Sequence, residues 1–360
     1  MAEVESRKVE SRLVFSSEEE AFTVRDVIDA AHFRGEIEPL WRDLLRIFAA
    51  EEKADASGLE VDDAAIDSAA EQFRYQHDLI TAEETERWLS ERSLTLGDFG
   101  AYFVRHHWGE TAEGNSEFGS GSYLEASPEM RELFTIELTL NGELERMAGR
   151  LSWRVAARRA EGGGDLAEEA LEAEKALFLE RIELPDEQMP EWLNHLGRDH
   201  AWLREQLATE AAYRRANDAL LTHQALAHEV SALRLPLTRF EVETIELDSL
   251  DAAREALLCV RTDGMGMQEL AQEGRYPYRH AEILLEDVPE DLQQKFLSVT
   301  PGTVLEPITR EVCFHLCRIV AKSEPHVEDP IVKSRAEDRI LERHFGELCA
   351  QHVHWKNLLP

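Results

Sequence analysis

The sequence predicts an α+β protein that is mostly α, and three observations carry that expectation. Through residue 233, apolar residues recur at helical spacing in a background rich in the strong helix formers Ala, Glu, Leu and Arg. From Arg234 the pattern changes: RFEVETIEL (239–247) alternates with period two, as a half-buried strand does, and EVCFHLCRIV (311–320) alternates again. Between these two stretches, the helical pieces at 248–274 and 288–299 give a β-α-α-…-α-β order. That order suits a small α+β domain whose first and last strands pair.

The helices follow from local spacing. EIEPLWRDLLRIFAAEEKA (36–54) places Leu40, Trp41, Leu44, Leu45 and Phe48 on one helix face, and residues 61–80 repeat the pattern with Ile66, Ala69, Phe73 and His77. Thr81 and Glu84 form a capping box that opens TAEETERWLSER, and Thr95 starts a further helix through Phe99 and Phe103. GETAEGNSEFGSGSYLEASPEM (109–130) is rich in Gly and Ser and carries no period, the mark of a flexible linker or long loop. EGGGD (161–165) is a second break, and residues 201–232 read as one long helix.

Two stretches line up with each other. Ile80, Glu83, Trp88 and Leu89 match Leu184, Glu187, Trp192 and Leu193 at identical spacing, and Phe99 matches Trp202 after a one-residue deletion. The organisation expected is therefore an N-terminal helical region (1–108), the linker (109–130), a second helical region (131–233), a small α+β domain (234–325), and a C-terminal helix and tail (326–360) with a short strand near 352–355.

Composition narrows the function. Across 360 residues there are 73 acidic against 39 basic side chains, a formal net charge of −34. Such a field repels phosphate backbones and anionic lipid surfaces, so no nucleic-acid partner is expected; the acidity reads either as a solubility feature spread over exposed helix faces or as a surface that steers basic or flexible peptides. The opening MAEVESRKVESRLVF has no apolar run of the signal-peptide kind and nothing approaches a membrane span, so the expectation is a cytoplasmic protein with no membrane partner. Four cysteines, at 259, 313, 317 and 349, are too sparse for a disulfide framework. Cys313 and Cys317 lack a second Cys/His pair at zinc spacing, so neither a metal nor a cofactor is expected. They read as small hydrophobes packed under a sheet. None of G-x-x-x-x-G-K-[ST], G-x-S-x-G or H-E-x-x-H occurs.

The segments TIEL (244–247), GMGMQELAQE (264–273), VPEDLQQKF (288–296), VTPGTVLEPI (299–308) and CFHLCRI (313–319) occur in the order of a parvulin-type peptidyl-prolyl isomerase. Residues 238–322 resemble that family, of the PpiC/SurA-like kind, and the preceding helices resemble the chaperone segments of SurA-like proteins. The layout is similar to that of parvulin-related proteins encoded with systems that mature ribosomally made peptides (RiPP biosynthesis). The resemblance implies a helical SurA-like chaperone region followed by a degenerate parvulin-like domain.

A prolyl isomerase lowers a barrier of about 18–20 kcal/mol for peptide-bond rotation. The resemblance implies two facing histidines, a Cys or Asp near the carbonyl, and a Met and a Phe lining a proline slot. The first histidine falls on Thr244, the Met on Asp287 and the slot Phe on Asp291, while RYPYRHAEILLE (275–286) offers no place for the Cys or Asp. Two carboxylates where a proline ring must be desolvated oppose ring binding. Only the closing-strand histidine survives, as His315, on one strand face with Cys313 and Cys317.

The function expected is therefore non-catalytic: a peptide-binding or chaperone-like protein holding an extended or proline-containing peptide. Its partners would be a precursor peptide and the enzymes that modify it. Candidate peptide-binding residues are Trp88, Trp108, Trp192, Trp202 and His315. The alternative is an active parvulin-type isomerase working through His315.

Overall fold

The chain is α+β and mostly helical. A computed structural model describes residues 9–111, 121–164, 166–310 and 313–356, so residues 112–120 of the expected linker lie outside the described residues. The chain divides into two units, residues 1–217 with 343–360, and residues 218–342.

In the first unit, β1 (Leu13–Ser17) and β2 (Glu20–Thr23) form a hairpin that sets Phe15 opposite Phe22. Thr23 ends the hairpin and caps α1 (Val24–Phe33): its hydroxyl accepts from the Asp26 N–H while the Asp26 carboxylate accepts from the Thr23 N–H. Next come α2 (Ile37–Ala56), α3 (Asp63–Gln76), α4 (Ala82–Glu91), α5 (Leu96–Thr111), α6 (Pro128–Leu140), α7 (Glu143–Ala160), α8 (Glu168–Arg181), α9 (Met189–Leu196) and α10 (His200–Leu220). The Thr81–Glu84 capping box is present at the start of α4.

The two expected helical regions are one unit, because Ile136 and Leu140 of α6 pack into the same cluster as Phe73, Leu89, Phe99 and Phe103. The expected long helix at 201–232 is two. α10 ends at Leu220, and the Thr222 hydroxyl accepts from the Ala225 N–H to start α11 (His223–Ala232).

The internal similarity holds, with a different register. α3 and α8 are each 14 residues long and each ends on a left-handed residue, Asp78 (φ 54°) or Glu183 (φ 53°). The next leucine then closes the helix: Leu79 N–H donates to Arg74 O at 2.8 Å, and Leu184 N–H to Leu179 O at 3.0 Å. α4 and α9 end the same way, with Leu94 donating to Leu89 O and Arg198 to Leu193 O across the left-handed Ser93 and Gly197. Phe73 meets Trp88 edge to face at 5.5 Å, and Phe178 meets Trp192 at 5.3 Å. Phe99 and Phe103 thus correspond to Leu203 and Leu207, all four buried, and Trp202 is not the partner of Phe99. The one-residue difference falls in the loop before the tryptophan helix, where loop length costs little.

The second unit is built on a four-stranded antiparallel sheet in the order β4-β3-β6-β5, from β3 (Arg239–Leu247), β4 (Tyr278–Leu284), β5 (Ile308–Arg310) and β6 (Cys313–Ser323). The first and last expected strands, β3 and β6, pair at its centre. α12 (Leu250–Thr262) and α13 (Met267–Gly274) cover one face through Ala253, Leu257, Met267 and Leu270, packed on Ile245, Leu247 and Leu316. α14 (Glu290–Ser298) covers the other through Leu292 and Phe296, packed on Phe240, Val242, Cys317 and Ile319. β4 lies in a stretch with no clear period. It is an edge strand, and Arg279, His280 and Glu282 are exposed, which removes the apolar alternation that marks a covered strand.

α15 (Pro330–His352) follows, and β7 (His354–Trp355) pairs with β1 to complete a sheet of order β2-β1-β7 in the first unit. Phe15 stacks on Phe22 at 4.6 Å, and Trp355 packs 5.3 Å away on its other neighbour strand. Phe15 is fully buried at this junction. Replacing it with alanine leaves a cavity where three strands meet, with an expected loss of about 3–5 kcal/mol. Guanidinium unfolding followed by tryptophan fluorescence checks this, and a loss below about 1 kcal/mol would show that the three strands do not share a core.

Candidate functional site

The β3–β6 pairing decides which side chains meet. From Arg239↔Ser323 to Glu241↔Ala321 the register is regular. It then shifts, so that Val242 pairs with Ile319 and Val320 is the extra residue of a β-bulge. Beyond the bulge Thr244 lies opposite Cys317 and Glu246 opposite His315. Alternation puts Thr244, Glu246, Cys313, His315 and Cys317 on the α14 face, continuing the row of Phe240 and Val242.

Thr244 is therefore not the residue facing His315; it sits one rung away and hydrogen-bonds Cys317. Cys317 is only 4% exposed among the side chains of α14, and burial pushes its thiol up to about 11, with the Thr244 hydroxyl pulling weakly the other way. It is the small hydrophobe that its strand position suggests.

Asp287 and Asp291 are both exposed. Asp287 makes an ion pair with Arg335 of α15 at 3.0 Å, and Asp291 lies in the first turn of α14, where a carboxylate suits the positive end of the helix. Neither charge is desolvated, because Leu292 and Phe296 are the residues α14 turns toward the sheet. The expected charge penalty in a proline slot is thus absent. What the two positions withhold is apolar lining.

The four tryptophans belong to three cores of the first unit, with Trp192 and Trp202 sharing one. Trp108 packs on Ala50 and Ala54, and Trp192 lies among Phe33, Phe178 and Leu196, both buried. A peptide reaches neither without unpacking them, which corrects their place among the binding candidates. Trp88 and Trp202 are half-buried. The Arg92 guanidinium lies 4.0 Å over the Trp88 ring, and Arg198 lies 5.5 Å over Trp202.

One residue escaped sequence reasoning. The Glu246 carboxylate, the Cys313 thiol and the His315 imidazole each offer an atom within 4.8 Å of the others. Cys313 Sγ is 3.5 Å from His315 Nε2. On the opposite sheet face, Glu243 accepts from the Tyr278 hydroxyl at 2.7 Å and pairs with Arg318, and His280 meets Glu241 at 2.8 Å. These charges tie β4, β3 and β6 together, with Glu243 as a buried member whose partners satisfy it.

No family model matches the chain, and no curated protein matches it. Solved structures do. The peptidylprolyl isomerase PrsA from Bacillus cereus shares 14% identity over 60% of this chain and 85% of its own, with a TM-score of 0.36. PrsA from Bacillus anthracis shares 11% identity over 56% of this chain and 96% of its own, at a TM-score of 0.30. A structure described with the SurA-like chaperones of Campylobacter jejuni shares 8% identity over 60% of this chain and 88% of its own, at a TM-score of 0.23.

The burial contrast between the two strand cysteines is open to test. In the native protein at pH 8, iodoacetamide should label Cys313 before Cys317, since Cys317 must open α14 to react. Peptide mapping over time checks the order. Equal rates would mean that the α14 face is not closed over Cys317.

Proposed function

We propose that this protein binds extended peptides in a chaperone-like manner and does not isomerise prolyl bonds. It works in the cytoplasm, and its client is a precursor peptide held for the modifying enzymes of a ribosomal-peptide maturation pathway. The observation that carries the binding part is the outer edge of β4, where among the described residues no strand pairs along seven residues. Such an edge offers backbone donors and acceptors to an extended chain, which joins the sheet as a further strand. A net charge of −34 draws basic clients toward it.

The non-catalytic part rests on the α14 face. The residue opposite His315 is a carboxylate, and the rung beside it is a threonine against a buried thiol. Two facing imidazoles are not available there. The client and pathway rest on the resemblance of the layout to parvulin-related proteins of peptide maturation.

Hydrogen exchange on the full chain with an unstructured, proline-containing peptide of net positive charge tests the binding mode. Amides of residues 278–284 should gain protection, and a proline-containing tetrapeptide should isomerise at its uncatalysed rate. Acceleration that His315→Ala abolishes would replace this reading with an active isomerase. Unchanged exchange along β4 would remove strand addition.

A further inference from the structure

Among the described residues, Glu246, Cys313 and His315 are the metal-ligand side chains that converge on one point. We propose that they form a binding site for a divalent transition-metal ion, with Zn²⁺ as the ion the donors fit best. The proposal is independent of the peptide reading. Three properties of the cluster support the site.

The first is chemical. A thiolate, an imidazole and a carboxylate make a mixed sulfur, nitrogen and oxygen set, which suits zinc and does not suit magnesium or calcium, whose ligands are oxygens. The second is metric. Zinc bonds of about 2.3 Å to sulfur and about 2.0–2.1 Å to nitrogen, at the tetrahedral angle, place the two ligand atoms about 3.6 Å apart. Cys313 Sγ and His315 Nε2 are 3.5 Å apart. An ion therefore fits between them with little movement of either. Glu246 is exposed, so its carboxylate can swing the remaining distance.

The third is the scaffold. Cys313 and His315 are two apart on β6 and so share a face, while the strand register fixes Glu246 across from His315. Three donors on two hydrogen-bonded strands at the sheet centre are held more firmly than donors on loops. β5 walls the site, with Ile308 opposite His315 and Arg310 opposite Cys313. On binding, the Cys313 thiol gives its proton to solvent and no bond to carbon changes. Three protein donors leave a fourth position for water, as open zinc sites do.

A 3.5 Å sulfur–nitrogen contact is also the distance of a thiol–imidazole hydrogen bond, so the test must separate the two. Metal-stripped full-length protein is titrated with ZnCl₂ against a chromogenic chelator. Wild type should bind one equivalent, with affinity about 100-fold weaker in Cys313→Ser and His315→Ala and about tenfold weaker in Glu246→Gln. Cys259→Ser, outside the site, should bind as wild type does. Co²⁺ should give a thiolate-to-metal charge-transfer band in wild type that is lost in Cys313→Ser. Equal zinc affinity in wild type and the ligand variants, or a Co²⁺ spectrum without the thiolate band, would overturn the site. If a variant fails to fold by circular dichroism, the wild-type Co²⁺ spectrum decides alone.

Discussion

The second unit depends on the register of two strands. β3 and β6 are central in the sheet, and two of that unit's buried clusters pack on the two faces of this pair. A slip of one residue turns each strand's apolar set over to the wrong side. The bulge at Val320 is where that register is set: before it Glu241 pairs with Ala321, and after it Val242 pairs with Ile319. Were Val320 paired with Val242 in an unbroken ladder, Glu246 would stand against Leu316 and not His315. Core packing and the chemistry of the face are thus settled by the same inserted residue.

That register also changes what the surviving histidine means. Read along its own strand, His315 has two cysteines for neighbours, and the question is whether they form a thiol or metal cluster. In the sheet only Cys313 stays with it. Cys317 is turned under α14, and the open side of the histidine is taken by a carboxylate from the other strand. The parvulin-like positions at Thr244, Asp287 and Asp291 do not meet in one slot. Two are surface carboxylates, and the third is engaged with a buried thiol.

What could be read from the sequence was what repeats locally. Amphipathic spacing located α2 and α3, the Thr-x-x-Glu box located α4, and period-two alternation located β3 and β6, because each signal lies within a few residues. β4 was hidden because an edge strand with Arg279, His280 and Glu282 outward has no apolar rhythm. The break between α10 and α11 was hidden because one threonine makes it inside a continuous helical pattern. Glu246 was invisible for a different reason: its neighbours come from a strand far along the chain, and only pairing brings them together. The tryptophans were visible as residues but not as buried ones, since periodicity marks an apolar face without saying what covers it.

The sheet β2-β1-β7 joins the two ends of the first unit's sequence, and the whole second unit lies between them. β1 is translated before the second unit, and its partner β7 only after β6 and α15 have been made. During synthesis the edge that Trp355 later covers therefore stays open, while the second unit has all its own strands available. Contacts of such long sequence separation form slowly. The β1 edge thus waits for a two-residue strand that emerges only after the whole second unit has been made.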